Sequence, residues 1–149
     1  MPKILDWPPV WLLLSMFVAW GLARYLPSLT IDFVGQREIG FGLMGLGLLI
    51  MTLAAMEMLR AHTTLVPRRD PDALVTTGLY RISRNPIYLA DWIVLFGWIV
   101  YLGVPLAFPL LWVFPKVIEK RFIAGEEARI RDHFGEKFDD WAKKTRRWI

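Results

Sequence analysis

Four runs of apolar residues, at about 10–26, 39–59, 86–101 and 104–118, are separated by intervals rich in charge, proline and glycine. A helix of about 20 residues crosses the hydrocarbon core of a bilayer, so the first two runs are long enough to span it unaided. The third and fourth are shorter, and the turn between them, Leu102-Gly103-Val104-Pro105, carries no charge, as a tight helical hairpin requires. Pro109 and Pro115 are expected to kink the fourth run. Beyond it, Ile130, Phe134, Phe138 and Trp141 recur at intervals of four, four and three residues in a stretch otherwise crowded with charge. That spacing predicts an amphipathic helix along the membrane surface, with Trp148 at headgroup level. The pattern therefore predicts an all-α fold in a single domain over residues 1–149. It is an integral membrane helical bundle of about four spans, the last two a hairpin, with a C-terminal amphipathic surface helix.

Charge adds an orientation. The interval 60–85 holds Arg60, Arg68, Arg69, Arg81 and Arg84, and the tail 119–149 is richer still, whereas Arg24 and Arg37 in the first loop are balanced by Asp32 and Glu38. The excess of Lys and Arg places both regions, and both termini, on the cytoplasmic side. The N-terminus lacks a small-residue cleavage pattern, so the first run is expected to remain as an anchor. Within the second run, Gly40 and Gly47 share one helical face and Gly42 and Gly45 the opposite one, which predicts close packing against two neighbours.

Composition narrows the chemistry. Hydrophobic residues make up 55% of the 149, with eight Trp, more than a soluble core of this size hides. The absence of cysteine excludes disulfides, thiolate metal sites and cysteine nucleophiles, and two separated histidines argue against a metal centre. The net charge of +4 comes from residues flanking apolar runs, with no basic face interleaved with aromatics, which argues against nucleic acid. No obligate protein partner is evident. The partners implied are the bilayer and a lipid-like small molecule.

Two polar regions distant in sequence are thus predicted to meet at one membrane face. The middle interval offers Thr63, Thr64, Pro67, the Pro71-Asp-Ala-Leu-Val75 run, a Thr-Thr-Gly turn, Tyr80, and the Arg84-Asn-Pro step, and the tail offers Glu126-Glu127. Together they suit an amphiphilic zwitterion, with carboxylates for an ammonium, arginines for a carboxylate, and aromatics for a ring. Each feature has a plainer reading as well. Arg81 and Arg84 also serve as topology signals, Asn85-Pro86 as an ordinary helix start, and Glu126-Glu127 as acids in a first helical turn. Glu57 and Asp91 stand inside apolar runs, where ionisable groups usually serve function. Asp91 either balances a cationic ligand or takes a proton from an amine, or else it pairs with Arg60 or Arg81.

The order Thr63-Thr64…Pro67…Leu74-Val-Thr-Thr-Gly78-x-Tyr80-Arg-x-x-Arg84-Asn-Pro-x-Tyr88-Leu, then Glu126-Glu-x-x-Ile130-x-x-x-Phe134-Gly135 and a closing Arg146-Arg-Trp, resembles the bacterial integral membrane branch of the isoprenylcysteine carboxyl methyltransferase and phospholipid methyltransferase family. The resemblance covers roughly residues 60–149. It implies methyl transfer from S-adenosyl-L-methionine to an isoprenylcysteine carboxylate, a phospholipid amine or a related amphiphile, at the cytoplasmic face of the bacterial inner membrane. It further implies a cofactor pocket of Asp72, Ala73, Leu74, Val75, Tyr80, Asn85, Pro86, Ile87, Tyr88 and Glu126. Glu127, Arg84 and Asp91 are the expected catalytic residues, and no metal is implied. The chain departs from the pattern at Asn85, where many members have His, and at Phe122, where carboxyl-methylating members have an Arg that handles the acceptor. Two other readings stay open: an NADPH-dependent membrane reductase, because sterol reductases carry a step similar to Asn-Pro-Ile-Tyr-Leu-Ala-Asp91, and a non-catalytic membrane subunit.

Overall fold

The computed structural model describes residues 4–63 and 71–149. Thr64, Pro67, Arg68 and Arg69 of the expected collar lie outside the described residues. The chain is helical: α1 (Pro8–Tyr25), α2 (Gln36–Arg60), α3 (Pro86–Leu102), α4 (Leu110–Ile118), α5 (Ala124–Phe134) and α6 (Glu136–Lys144), with short 3-10 turns between them. Prolines open α1 and α3, where the missing N–H removes no helical bond. Gly103, at φ +62°, closes α3.

Among the described residues, α2 is the one helix whose length and composition suffice to cross a membrane, and α3 is a shorter apolar helix of 17 residues. The expected fourth run begins differently from its prediction. Residues Pro105–Ala107 form a 3-10 turn, and Pro109 precedes α4 as its cap instead of kinking it. Then α4 passes through a π-helical stretch, Glu119–Ile123, directly into α5. Pro115 does sit inside α4, and the Leu111 carbonyl that it cannot serve is taken by Trp92, whose indole N–H donates to it at 2.8 Å.

The helix α3 is central, packing against α1, α2 and α4. Its contact with α2 depends on glycine. A Cβ on Gly40 would lie 2.6 Å from the Tyr101 nitrogen, one on Gly97 2.7 Å from the Gly40 carbonyl oxygen, and one on Gly47 2.9 Å from that of Ala90. Gly42 and Gly45 face open space, so of the two neighbours predicted for α2 the described residues supply one. The core lies between α1, α3 and α4, around Leu95, Ile99, Phe114, Ile118 and Phe122, while large side chains such as Phe17, Phe41, Leu48 and Trp112 stay exposed as an apolar outer face.

The predicted surface helix is two helices. Gly135, at φ +55° and ψ −125°, breaks the stripe between Phe134 and Phe138. The break turns Phe138 into the interior, where it is buried, and brings the Trp141 indole N–H to the Tyr80 carbonyl at 2.9 Å. Trp148 packs against the main core. These aromatics are drawn inward because the tail is stitched to the segment preceding α3. Ser83 and Arg146 form a parallel bridge, and the Arg84 N–H donates to the Arg146 carbonyl at 2.9 Å.

Candidate functional site

The N-terminal end of α1, the C-terminal end of α2, the N-terminal end of α3 and the α5–α6 pair gather at one end of the bundle, where they enclose a cavity of about 320 Å³. Its apolar walls include Trp7, Met51, Met58, Pro86, Phe138 and Trp141, and its polar groups include Asp91, Glu126 and Arg129.

Each wall has a local cause. The carboxylate of Glu57, in the last turns of α2, accepts the Leu79 N–H on both oxygens, at 3.2 and 3.1 Å, and so fixes the 3-10 turn Gly78–Arg81. Gly78 has φ +55°, and a Cβ there would overlap the Glu57 carboxylate. This turn buries Tyr80 in a small cluster with Val75 and Ala54. Burial first, then the charges of Glu57 and Glu126, push the Tyr80 phenol well above its usual range, so it stays a protonated donor. On α3, the Tyr88 hydroxyl donates to Glu126 at 2.9 Å, which joins the two polar regions through one bond.

A second tie lies beside the first. Arg84 donates to Glu127 at 3.0 Å and to the carbonyls of Ala142, at 3.0 Å, and Thr145. Arg147 donates to Glu127 at 2.6 Å and pairs also with Glu119. Burial alone would raise the Glu127 carboxyl, but hydrogen bonds from Arg147 and Arg84 outweigh it and hold the group below the usual carboxylate range. Asn85 donates its side-chain N–H to the Arg147 carbonyl at 3.0 Å. It therefore works as a neutral donor to the tail.

The structure thus brings together nine of the sequence-predicted residues around the cavity: Tyr80, Arg84, Asn85, Pro86, Ile87, Tyr88, Asp91, Glu126 and Glu127. It does not bring Asp72, Ala73, Leu74 or Val75 there. The N–H groups of Asp72 and Ala73 donate to the Thr63 hydroxyl, Ala73 and Leu74 line a second depression with Arg81, and Val75 lies under Tyr80. Asp91 is 4% exposed and, among the described residues, has neither a hydrogen bond nor an ion pair, so the expected alternative pairing with Arg60 or Arg81 is not formed. Phe122 is fully buried with its ring 6.5 Å from that of Tyr88, and the neighbouring Arg121 lies over the Trp11 ring, away from the cavity. Sequence reasoning missed Trp7, Met51, Met58, Arg129 and Trp141. Arg129 was the one with a signal, since it stands three residues after Glu126 on the same helix.

With this geometry in hand, comparison with known proteins is decisive. Residues 36–137 match the phospholipid methyltransferase family. The chain belongs to that family. The match covers α2, α3, α4, α5 and the intervening collar, and so most of the cavity lining but not Trp7, Phe138 or Trp141; it makes methyl transfer the reaction class. A protein of Haemophilus influenzae (strain ATCC 51907 / DSM 11121 / KW20 / Rd), described as uncharacterized, is 33% identical over 63 residues, which is 42% of this chain and 100% of the relative.

Proposed function

We propose that this family member transfers a methyl group from S-adenosylmethionine to a lipid-like acceptor, in the cavity between α3 and α5. The observation that carries the reading is the junction of Tyr88 with Glu126 beside Asp91, where carboxylates stand in an apolar, aromatic-walled cavity. The donor set suits that cofactor. Asp91 and Glu126 answer a cationic centre, while Trp7, Trp141 and Pro86 offer apolar and aromatic surface to a purine. When bound, the cofactor supplies an electrophilic methyl group carried on a sulfonium.

The protein needs no nucleophile of its own for such a displacement. Its contribution is alignment and the exclusion of water. Tyr88 orients Glu126, while Arg84, Arg147 and Glu127 act as positioning residues that hold the tail over the cavity. For an amine acceptor, the Asp91 carboxylate takes the proton that the nitrogen must lose before its lone pair attacks the methyl carbon.

The same reading includes four membrane crossings, the fourth at about 104–118, made by the Pro105–Ala107 turn and α4, with both termini on the cytoplasmic side. The exposed apolar outer face and the clustering of Arg60, Arg81, Arg84 and the basic tail at the cavity end support it. Because the chain has no cysteine, single cysteines at Asp32 and Asp132 can be labelled in intact cells with a membrane-impermeant maleimide. Labelling at Asp32 alone is expected, and labelling of both is incompatible with this topology. The chemistry is tested by titrating the detergent-solubilised protein with S-adenosylmethionine and with NADPH, then assaying methyl transfer into a lipid extract. Saturable binding of the first and not the second is expected; the reverse rejects the methyltransferase reading.

A further inference from the structure

Among the described residues, one arginine of the cavity lining has no ion pair. Arg84 and Arg147 are both tied to Glu127, Arg121 lies over Trp11, and Arg81 lines the second depression. Arg129 lines the cavity itself, on the helix that carries Glu126, and its Nε atom is buried without a hydrogen-bond partner among the described residues. A buried guanidinium N–H left unpaired carries the desolvation cost of a charged group, so its persistence points to a partner from outside the chain. Guanidinium geometry suits a carboxylate or a phosphate. The opposite charge is also present in the same cavity, on Asp91 and Glu126.

We propose that Arg129 is the anion-binding residue of this cavity, holding the carboxylate or phosphate of a zwitterionic ligand whose cationic end faces Asp91 and Glu126. The proposal rests on the methyltransferase reading only for the two sources of such an anion: the amino-acid half of the cofactor, or the phosphodiester of a lipid headgroup. Neither neighbouring position competes for that anion, since Phe122 is buried and apolar and Arg121 lies over the Trp11 ring.

Trp7 and Trp141 line the cavity, so intrinsic fluorescence of the full chain in detergent reports its occupancy. Wild type, Arg129→Gln and Arg129→Lys are titrated with three probes: S-adenosylhomocysteine, its decarboxylated analogue, and dihexanoyl phosphatidylethanolamine. If the anion is the cofactor's carboxylate, Arg129→Gln weakens S-adenosylhomocysteine by about tenfold to a hundredfold and leaves the decarboxylated analogue unchanged. If it is the headgroup phosphate, the same variant weakens only the phospholipid. In both cases Arg129→Lys recovers part of the loss, and a purely structural arginine would not separate the carboxylate-bearing probe from the one lacking it. Equal affinities of wild type and Arg129→Gln for every probe overturn the proposal, as does parallel weakening of all three. Wild type that ignores S-adenosylhomocysteine but loses phospholipid binding on Arg129→Gln keeps Arg129 and rejects the cofactor assignment.

Discussion

Tyr88 Oη donates a 2.9 Å hydrogen bond to Glu126 Oε1, linking the first turns of α3 to α5 across 38 residues of sequence. Removing that hydroxyl takes one aligning hydrogen bond from the carboxylate. Tyr88→Phe is expected to weaken S-adenosylmethionine binding by about tenfold, in keeping with one charge-assisted bond, while the helical content stays that of wild type. Unchanged affinity by calorimetric titration would show that Glu126 reaches the ligand without Tyr88.

The ion cluster of Arg84, Arg147 and Glu127 predicts an acid sensitivity. The folded Glu127 carboxyl titrates below its ordinary value of 4.5, so the stability it contributes is fully present above that value and is lost as pH falls through the depressed one. Thermal melts in detergent at pH 7, 5, 4 and 3 should show wild type losing stability below about pH 4.5 and Glu127→Gln losing less over the same window. At pH 7, Glu127→Gln should destabilise by about 1–3 kcal/mol, because it strands two partly buried arginines. A variant as stable as wild type at pH 7 would dismiss the cluster as a tie.

Asn85 distinguishes a donor from a titrating base. Its side chain donates to the Arg147 carbonyl, so Asn85→Ala loses about 1 kcal/mol. Asn85→Asp sets a carboxylate against that carbonyl oxygen and should be worse than Ala. Limited proteolysis of the tail is the readout, and an Asp variant better protected than the Ala variant would show that the bond is not the one formed.

The glycines of α2 and α3 divide by neighbour. Gly40→Ala and Gly97→Ala force apart backbones already in contact and should destabilise by about 1–3 kcal/mol, while Gly42→Ala and Gly45→Ala enter open space and should be neutral or slightly stabilising. Four equal melting temperatures would contradict the α2–α3 packing.

At Gly78 the backbone is left-handed and the Glu57 carboxylate fills the space of a side chain. Gly78→Ala is therefore expected to destabilise by about 1–3 kcal/mol and to disturb the turn that carries Tyr80. The loss should be smaller when measured in a Glu57→Ala background, because one of the two conflicts is then gone. Equal losses in the two backgrounds would mean that the conformation alone, not the carboxylate, excludes alanine.

Much of this architecture is legible in the residues. Apolar runs and proline punctuation locate α1, α2 and α3 to within a few positions, because both signals act within a single helix. The meeting of Tyr80, Asn85 and Tyr88 with Glu126 was legible from a family resemblance. The single surface helix was misread because the helical spacing of Ile130, Phe134, Phe138 and Trp141 says nothing about Gly135 between them, whose φ of +55° ends one helix and starts another. That Asp72–Val75 stands outside the cavity lining was not legible, because the N–H groups of Asp72 and Ala73 answer to Thr63, a contact that no periodicity encodes.

The sequence by itself determined a helical membrane-type chain with its basic residues gathered at one end, since hydropathy, helix-breaking residues and charge bias are local properties. Which arginine is held in an ion pair was decided only by the tertiary structure. Arg84 and Arg129 are equally cationic in the sequence, but Glu127 reaches back 43 residues to take Arg84, and nothing among the described residues takes the buried Nε of Arg129. An ion pair forms where the folded backbone brings two side chains within about 4 Å, and here that proximity comes with the Tyr88–Glu126 bond and the Ser83–Arg146 bridge, which tie the start of α3 to the tail.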